Sequence, residues 1–210
     1  MKTTPRKILD AAEKLFAKQG VEATSVREIG ALAGTSHGVL HYHFGSREAV
    51  LKAILERRMP PLMAERMKLL AALESKQEPV TVREVLEVLA LPLARLMIEG
   101  GPSGRRTVQL MARLFADNNP IHLQESSKHF KGMTKSLVDH CRVSLPDLSE
   151  AELELRMGIA AATIFAVLAK LDQPARPWQT HLETEQLTPT EVVRRMLDFL
   201  ERGFCGQLHR

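Results

Sequence analysis

The sequence predicts an all-α fold in which three short N-terminal helices precede a larger helical bundle. Apolar residues recur at the 3.6-residue spacing of amphipathic helices, beginning with Ile8, Ala12 and Leu15. No alternating apolar pattern or hairpin signal indicates a strand. Four segments begin with a hydroxyl residue followed three positions later by glutamate, a capping box that marks a helix start. These pairs are Ser25 with Glu28, Thr81 with Glu84, Ser149 with Glu152, and Thr188 with Glu191.

Glycine, asparagine and proline clusters divide the chain into its predicted elements. Gly20 ends the first helix, and Gly34 supplies the turn after the second. Proline lacks a backbone N–H, so we expect the fourth helix to kink at Pro60-Pro61. The loop Gln173–Gln186 precedes the last helix. The predicted helices cover residues 4–19, 25–32, 36–43, 46–74, 81–99, 103–117, 121–144, 150–171 and 189–203.

Composition points to a folded protein outside the membrane. The chain has 210 residues, of which 44% are hydrophobic, enough for a substantial core. It contains no apolar run long enough to span a bilayer and no signal-peptide core near its first residue, so we expect a cytoplasmic protein. Cys141 and Cys205 have neither metal-ligand nor redox spacing, and are interpreted as reduced thiols in or near the core.

Positive charge is concentrated near the N-terminus. Ten of the first 60 residues are Lys or Arg and six are Asp or Glu, a difference that accounts for the entire net charge of +4. Cationic charge gathered on one small segment is what a phosphate-facing surface requires.

Residues 24–47 predict a helix-turn-helix. Two short helices flank Gly34, whose φ angle is expected to be positive. Apolar residues should face inward, whereas the second of these helices is otherwise rich in hydrogen-bonding side chains. The inward set is Val26, Ile29, Leu32 or Ala33, Val39, Leu40 and Phe44. This arrangement places side chains in the major groove of DNA, so we predict a DNA-binding domain over residues 1–46 and a helical domain over residues 47–210.

The stretch ILDAAEKLFAKQGVEATSVREIGALAGTS, followed by HGVLHYHFGSREAVLKAI, resembles the TetR family of bacterial transcriptional regulators. The resemblance implies that the helix starting at Thr35 or Ser36 enters the major groove. Residues at base-edge positions are Arg27, Ser36, His37 and Gly38. Residues at phosphate-facing positions are Thr24, Ser25, Tyr42, His43 and Arg47. His41 stands where the family often has tyrosine, and an imidazole there can still donate to a phosphate.

Two other interpretations of this segment stay open. A short polar helix can simply cover a core. The histidines His37 and His41 lie four residues apart, a spacing that can bind zinc on a helix, although no suitable third ligand is near them in the sequence.

The last two helices are predicted to form a homodimer interface, because a symmetric pair of DNA-binding domains matches an inverted-repeat operator. The helix over 150–171 has a centre of small residues that permits close approach, and the helix over 189–203 has an apolar stripe. Ordinary packing within one chain is the alternative. The candidate interface residues are Met157, Ala161, Ile164, Phe165, Met196 and Phe199.

The middle helices, over residues 62–141, are expected to enclose an apolar cavity for a small-molecule effector. Methionine adapts to irregular shapes and suits such a pocket, although a methionine stripe is also typical of plain core. The candidate lining residues are Met63, Met67, Met97, Met111, Phe115 and Met133. Scarce aromatic residues favour an aliphatic effector. Arg105, Arg106 and Arg113 can neutralise an acidic head group, or can be solvated or paired with acids.

These patterns predict a dimeric regulator of transcription, a repressor released from double-stranded DNA when an effector changes the tilt of the helix over 46–74. No cofactor, metal or membrane partner is expected. The alternative is a helical apolar-ligand-binding protein or an enzyme whose helix-turn-helix is not used for DNA. The sequence contains no catalytic Ser/His/Asp arrangement, phosphate-binding glycine loop or metal-carboxylate pattern that supports an enzyme.

Overall fold

A computed structural model describes residues 3–172 and 187–206 of the chain. Within these ranges the fold consists of α-helices and contains no strand, so the predicted all-α class is confirmed. The loop Gln173–Gln186 lies outside the described residues. In chain order the helices are α1 (Thr4–Gln19), α2 (Val26–Ala33), α3 (His37–Phe44), α4 (Arg47–Glu74), α5 (Val82–Ile98), α6 (Gly101–Ala116), α7 (Pro120–Ser144), α8 (Glu150–Leu168) and α9 (Pro189–Cys205).

The boundaries of α6 and α8 depart from the predicted ones. The sequence Gly100-Gly101-Pro102 was expected to precede α6, but α6 begins at Gly101 because proline fits the first turn, where its missing N–H has no partner to lose. The fourth helix continues through Pro60 and Pro61 as predicted, and the kink at these residues stays a prediction. Helix α8 ends at Leu168, three residues before its predicted end.

The predicted capping boxes are present at three of the four helix starts. Ser25, Thr81 and Thr188 each accept a hydrogen bond from the backbone of the glutamate three residues later, and each glutamate accepts one in return. Ser149 caps α8 in the same way, but the Glu152 carboxylate instead accepts from Arg156 Nε at 2.7 Å. The fourth box was therefore only half correct.

The core is continuous from the N-terminal helices into the bundle. Ile8, Phe16, Ile29 and Leu40 are fully buried where α1, α2 and α3 meet, and they belong to the same apolar cluster as the bundle interior. Helix α1 packs against α6 as well as α2, so the three short helices do not stand apart from the rest of the protein. The predicted domain boundary after residue 46 stays a prediction.

A buried carboxylate connects α1 to α4 and α6. Glu13 on α1 is fully buried, and both of its oxygens accept hydrogen bonds from Arg58, at 2.8 and 2.7 Å. Arg57 Nη2 donates to the same carboxylate at 2.8 Å, and its Nη1 donates to Asp10 at 2.9 Å. The Thr107 hydroxyl on α6 lies 2.8 Å from Glu13 Oε1. Two arginines and two carboxylates therefore balance in charge inside this junction, which we call the Glu13 cluster.

The two cysteines differ in environment. Cys141 is fully buried, and desolvation raises the pKa of its thiol to about 12. Cys205 is a free thiol on the surface at the end of α9, so the expectation of a position in or near the core holds for Cys141 alone. None of the described helices is both long and apolar enough to cross a membrane.

Helices α5 and α6 approach so closely that the contact requires glycine. A Cβ atom added at Gly104 would overlap the backbone carbonyl of Leu96, and one added at Gly100 would meet the same oxygen. The oxygen belongs to backbone and cannot rotate away, so a side chain here would force the helices apart.

We predict that Gly104→Ala lowers the free energy of unfolding by about 1–3 kcal/mol, because the added methyl group overpacks the crossing of α5 and α6. Urea denaturation followed by circular dichroism measures the change. The matched control is Gly132→Ala in α7, where an added Cβ has no neighbour within 4 Å. The control should gain up to about 1 kcal/mol from helix propensity. Equal stability of the two variants would contradict this account.

Candidate nucleic-acid interface and ligand cavity

The turn between α2 and α3 has the geometry expected from the sequence. Gly34 has φ 67° and ψ 40°, in the left-handed region, and its N–H donates to the Ala31 carbonyl. Ser36 caps α3 and accepts a hydrogen bond from the Val39 N–H at 3.3 Å. At the start of α2, hydrogen bonds from the Ser25 backbone and hydroxyl lower the pKa of the Glu28 carboxyl. These caps fix where each helix begins and therefore which way its faces point.

Helix α3 turns almost all of its polar side chains outward. Leu40 is its one fully buried side chain, Phe44 is half-buried, and Tyr42 is 85% exposed. Gly38 is also exposed, and an added Cβ would meet only the Ser36 hydroxyl at 4.0 Å. Val39 was expected to face inward but is 37% exposed. The outward face also contains Ser36, His37, His41 and His43.

The sequence left open whether Leu32 or Ala33 of α2 faces inward, and the structure shows that Ala33 does. Ile29 is fully buried and Ala33 is half-buried, whereas Leu32 is 46% exposed. Arg27 is exposed on the opposite side, and it forms no ion pair or hydrogen bond within residues 3–172 and 187–206. Its guanidinium is therefore available to an external acceptor.

Two residues predicted to face phosphates have other roles in the structure. Thr24 is buried, and its hydroxyl donates to the Gly20 carbonyl at 2.6 Å, so its expected exposure to DNA was wrong. Arg47 donates to the carbonyl and carboxylate of Glu22 at 2.9 and 2.7 Å, and to Glu48 at 3.1 Å. Glu22 is largely exposed, so its pairing with Arg47 is weak and a phosphate can displace it.

The histidines of α3 form an aromatic surface. The His37 and His41 rings are parallel, with centroids 6.1 Å apart, and Tyr42 meets His43 edge-on at 5.3 Å. Within the described part of the chain, no group of three His, Cys, Asp or Glu side chains is arranged to hold a metal.

A second candidate site is a cavity of about 190 Å³ inside the bundle, which we call the bundle cavity. Helices α4 to α8 all contribute to its wall, and most of the lining is apolar. Two of its lining residues, Arg66 and His122, are charged or titratable and buried. The lining residues are Met59, Leu62, Arg66, Leu89, Leu93, Met111, Phe115, His122, Leu123, Ser126, Phe130, Met133, Thr134, Ala161, Ile164 and Phe165.

Half of the predicted ligand residues line this cavity. Met111, Phe115 and Met133 do so, whereas Met63, Met67 and Met97 do not. Met67 is 45% exposed, and Met97 is buried in the core away from the cavity. The four-residue spacing of the α4 methionines was misleading, because the buried stripe of that helix follows Met59, Leu62 and Arg66 instead.

The arginines predicted to meet an acidic head group lie elsewhere. None of Arg105, Arg106 and Arg113 lines the bundle cavity. Arg105 lies 3.8 Å from Asp172, and Arg113 lies 3.8 Å from Asp117 and donates to the Lys18 carbonyl. The cavity arginine is Arg66, which sequence reasoning missed. The sequence does contain an indication of this role, because Arg66 is a charged residue within the apolar stripe of α4, between Leu62 and Leu70.

Half of the predicted interface residues are buried within their own chain. Met157, Ile164 and Met196 are buried within their own chain, which contradicts their assignment to an interface surface. Ala161 and Phe165 are half-buried and line the bundle cavity. Phe199 is 72% exposed on α9. The free apolar face of α8 is the opposite one, which carries Leu155, Ile159, Ala162 and Ala166.

Together, a capped helix-turn-helix with an outward polar helix and a helical bundle around a cavity define a helix-turn-helix regulator. Sequence models of known families agree with this class. The model described as "Bacterial regulatory proteins, tetR family" matches residues 8–54, and "Tetracyclin repressor-like, C-terminal domain" matches residues 87–203. The chain therefore belongs to the TetR family of bacterial transcriptional regulators, as the sequence indicated.

Similar proteins share either part of the sequence or the whole fold. An HTH-type transcriptional repressor of Mycobacterium tuberculosis is 33% identical over 98 residues, 47% of this chain and 48% of that protein. The repressor KstR2 of Rhodococcus jostii is 37% identical over 65 residues, 31% of this chain and 32% of the relative. The chain thus spans about half or less of the length of these curated relatives.

Solved structures extend the likeness of fold to almost the full chain. KstR2 of Mycobacterium tuberculosis, described as a ketosteroid transcriptional regulator, has a TM-score of 0.64 at 21% identity and covers 97% of this chain and 95% of its own. FadR of Bacillus subtilis, in complex with stearoyl-CoA, has a TM-score of 0.59 at 15% identity, with coverage of 97% and 99%.

We predict that Thr24→Val lowers the free energy of unfolding by about 1 kcal/mol or more, because the buried Gly20 carbonyl loses its donor. Chemical denaturation measures the loss. Thr24→Ser is the matched control, since it keeps the hydroxyl and should stay closer to the parent. A fully stable Thr24→Val variant would mean that this hydroxyl does not hold the loop before α2.

Proposed function

We propose that this protein is a dimeric, sequence-specific DNA-binding regulator that represses transcription and is released from an inverted-repeat operator by a small lipophilic effector. The observation that carries the proposal is the outward face of α3. Its polar groups are exposed on a helix that only Leu40 and Phe44 attach to the core. A helix of this kind, held by a glycine turn against α2, fits the major groove.

The exposed groups divide into those suited to bases and those suited to phosphates. Arg27 can donate two hydrogen bonds to guanine O6 and N7, and exposed Gly38 lets the backbone of α3 approach base edges. Val39, next to it, offers an apolar contact for a thymine methyl group. Tyr42 and His43 project from the last turn of α3 and can donate to phosphates. Ser36 and His37, at the start of α3, complete the base-edge set, with Thr35 just before it.

Pairing of two chains is supported by the exposed apolar stripe on α8. Leu155 and Ile159 are 58% and 55% exposed, and Ala162 and Ala166 continue the same helical face. Exposed Phe199 on α9 adds a large aromatic side chain on the helix packed beside α8. Small residues between larger ones permit close helix approach, and dimerisation would bury this stripe and double the DNA contacts.

Control by an effector is supported by the bundle cavity and by helix α4, which connects the cavity to the N-terminal helices. Met59 and Arg66 line the cavity from α4, and the same helix contacts both α1 and α3. Similar folds have been solved with small molecules, including stearoyl-CoA and, in a regulator from Saccharomonospora viridis, choline. A ligand that favours one position of α4 would shift the dimer between states that bind DNA well or poorly.

Selection of bound duplexes from a random pool tests the proposal and supplies the operator. On the selected site, Arg27→Ala should weaken binding by about 1–3 kcal/mol and relax the preference at one base position, because the bidentate contact is lost. Fluorescence anisotropy against single-base variants measures both effects. Arg142→Ala, at an exposed arginine in the last turn of α7, is the matched control and should bind like the parent. Equal weakening on every sequence would assign Arg27 to the backbone instead.

We further predict that Ile159→Lys converts the dimer to a monomer, because two ammonium groups would be buried against the facing stripe. Sedimentation velocity measures the oligomeric state. Met67→Lys, at a similarly exposed methionine on α4, should leave it unchanged. A dimer that survives Ile159→Lys places the interface on another surface.

A further inference from the structure

The wall of the bundle cavity contains a buried guanidinium that lacks a carboxylate. Arg66 is 6% exposed. Its Nη2 donates to the Leu89 carbonyl at 2.9 Å, and the Phe130 ring lies 5.1 Å from its Cζ. The Nε group, also buried, has no hydrogen-bond partner among the described residues. No carboxylate in residues 3–172 and 187–206 forms an ion pair with this side chain.

Three other arginines whose side chains are less than 30% exposed do have carboxylate partners. Arg57 and Arg58 share the Glu13 carboxylate, and Arg156, whose side chain is 10% exposed, pairs with Glu152 at 2.7 Å. A buried cation without a counter-ion carries a desolvation cost that a paired one recovers. Burial lowers the pKa of Arg66 to about 10, so the guanidinium keeps its charge at neutral pH. The position is therefore suited to an anion supplied from outside the chain.

His122 adds a second unsatisfied polar group to the same wall. It is 5% exposed, its Nε2 lies 3.3 Å from the Ser126 hydroxyl, and its buried Nδ1 has no partner among the described residues. Burial lowers its pKa to about 4, so the imidazole is neutral at pH 7 and contributes hydrogen bonding without charge. The cavity thus offers one positive charge, which matches a monoanion better than a phosphate dianion.

The rest of the cavity wall and the cavity volume determine the polarity and the size of the ligand's uncharged part. Apolar side chains such as Met59, Leu93, Ile164 and Phe165 make up most of the lining. The volume is about 190 Å³, and an apolar cavity of about 150 Å³ in another protein holds benzene. A single ring or a short alkyl chain fills this space.

We propose that the bundle cavity binds a compact apolar carboxylate, with the carboxylate on Arg66 and His122 and the apolar body among the methionine, leucine and phenylalanine side chains. The assignment rests on the proposed function for the role of effector, but the binding itself does not require DNA. It names Arg66 as the residue that recognises the anion, a role that the sequence had suggested for the surface arginines of α6.

Calorimetric titration of the full chain with benzoate and with benzamide at pH 7 tests the proposal. The two probes have almost the same shape and differ in charge. Benzoate should bind roughly tenfold more tightly or better, because charge-assisted hydrogen bonds to a buried guanidinium are about twice as strong as neutral ones. Hexanoate and hexanamide repeat the comparison for an alkyl body. Equal affinities within both pairs, or no binding of either acid at millimolar concentration, would overturn the proposal.

The variant Arg66→Met removes the charge and retains the length of the side chain. It should lose the preference for benzoate over benzamide while unfolding at the same temperature or higher, since an unpaired buried charge is removed. Arg113→Met is the matched control, because this arginine lies on the surface of α6, and its probe affinities should equal those of the parent. Unchanged discrimination in Arg66→Met would contradict the assignment. If that variant does not fold, the two matched pairs of probes on the parent protein still decide the question.

Binding to DNA is measured separately on the ligand-free chain. Benzoate binding without preference for any duplex would reject the proposed function and leave the carboxylate site standing. Selection of a specific duplex without binding of either acid would support the proposed function and reject the carboxylate site.

Discussion

The Glu13 cluster is the constraint on which the arrangement of this protein depends. A fully buried carboxylate is tolerable only when it is neutralised and hydrogen-bonded, and Glu13 meets both conditions by drawing on α4 and α6 at once. Losing the α4 arginines would leave the Glu13 charge without its partners, at a cost of about 3–5 kcal/mol, whereas separation from α6 would remove the hydrogen bond from Thr107. The helices that present α3 to DNA are thereby held against the bundle by charge as well as by apolar packing.

Local chemistry explains why much of this fold could be predicted from the sequence. A capping box acts through residues three positions apart, so the helix start at Ser25 could be predicted without tertiary information. A turn with φ 67° requires only the steric freedom of glycine itself, so the turn at Gly34 could be predicted in the same way. Local predictions were wrong where a second interaction close in sequence prevailed over the expected one. Pro102 was interpreted as a break but occupies a first turn, and Glu152 was assigned to a cap but pairs with Arg156.

Side-chain roles were harder to predict because they depend on partners distant in sequence. Thr24 shares its hydroxyl chemistry with phosphate-binding residues, yet Gly20 captures that hydroxyl once the loop folds. The two faces of α8 are both apolar enough to be interface or core, and periodicity alone cannot say which one the chain covers. Met157 and Ile164 were therefore assigned to the wrong face, whereas Leu155 and Ile159 are the exposed pair.

Helix α4 connects the proposed ligand site to the DNA-binding helices, because its arginines lie at three successive positions along the helix. Arg47 begins α4 and pairs with Glu22 in the loop before α2. Arg57 and Arg58 pair with Glu13, and Arg66 lines the bundle cavity. Pro60 and Pro61 lie between the last two of these positions and remove two donors from the helical hydrogen-bond ladder there. The N-terminal half of α4 is fixed to α1 and α6 by the Glu13 cluster, so a displacement begun at Arg66 meets its weakest backbone at these prolines. We expect ligand-driven motion either to be absorbed at that point or to carry α1, α4 and α6 together. Separating α1 from α4 would leave the Glu13 carboxylate without its arginine partners, and separating α1 from α6 would break the hydrogen bond from Thr107.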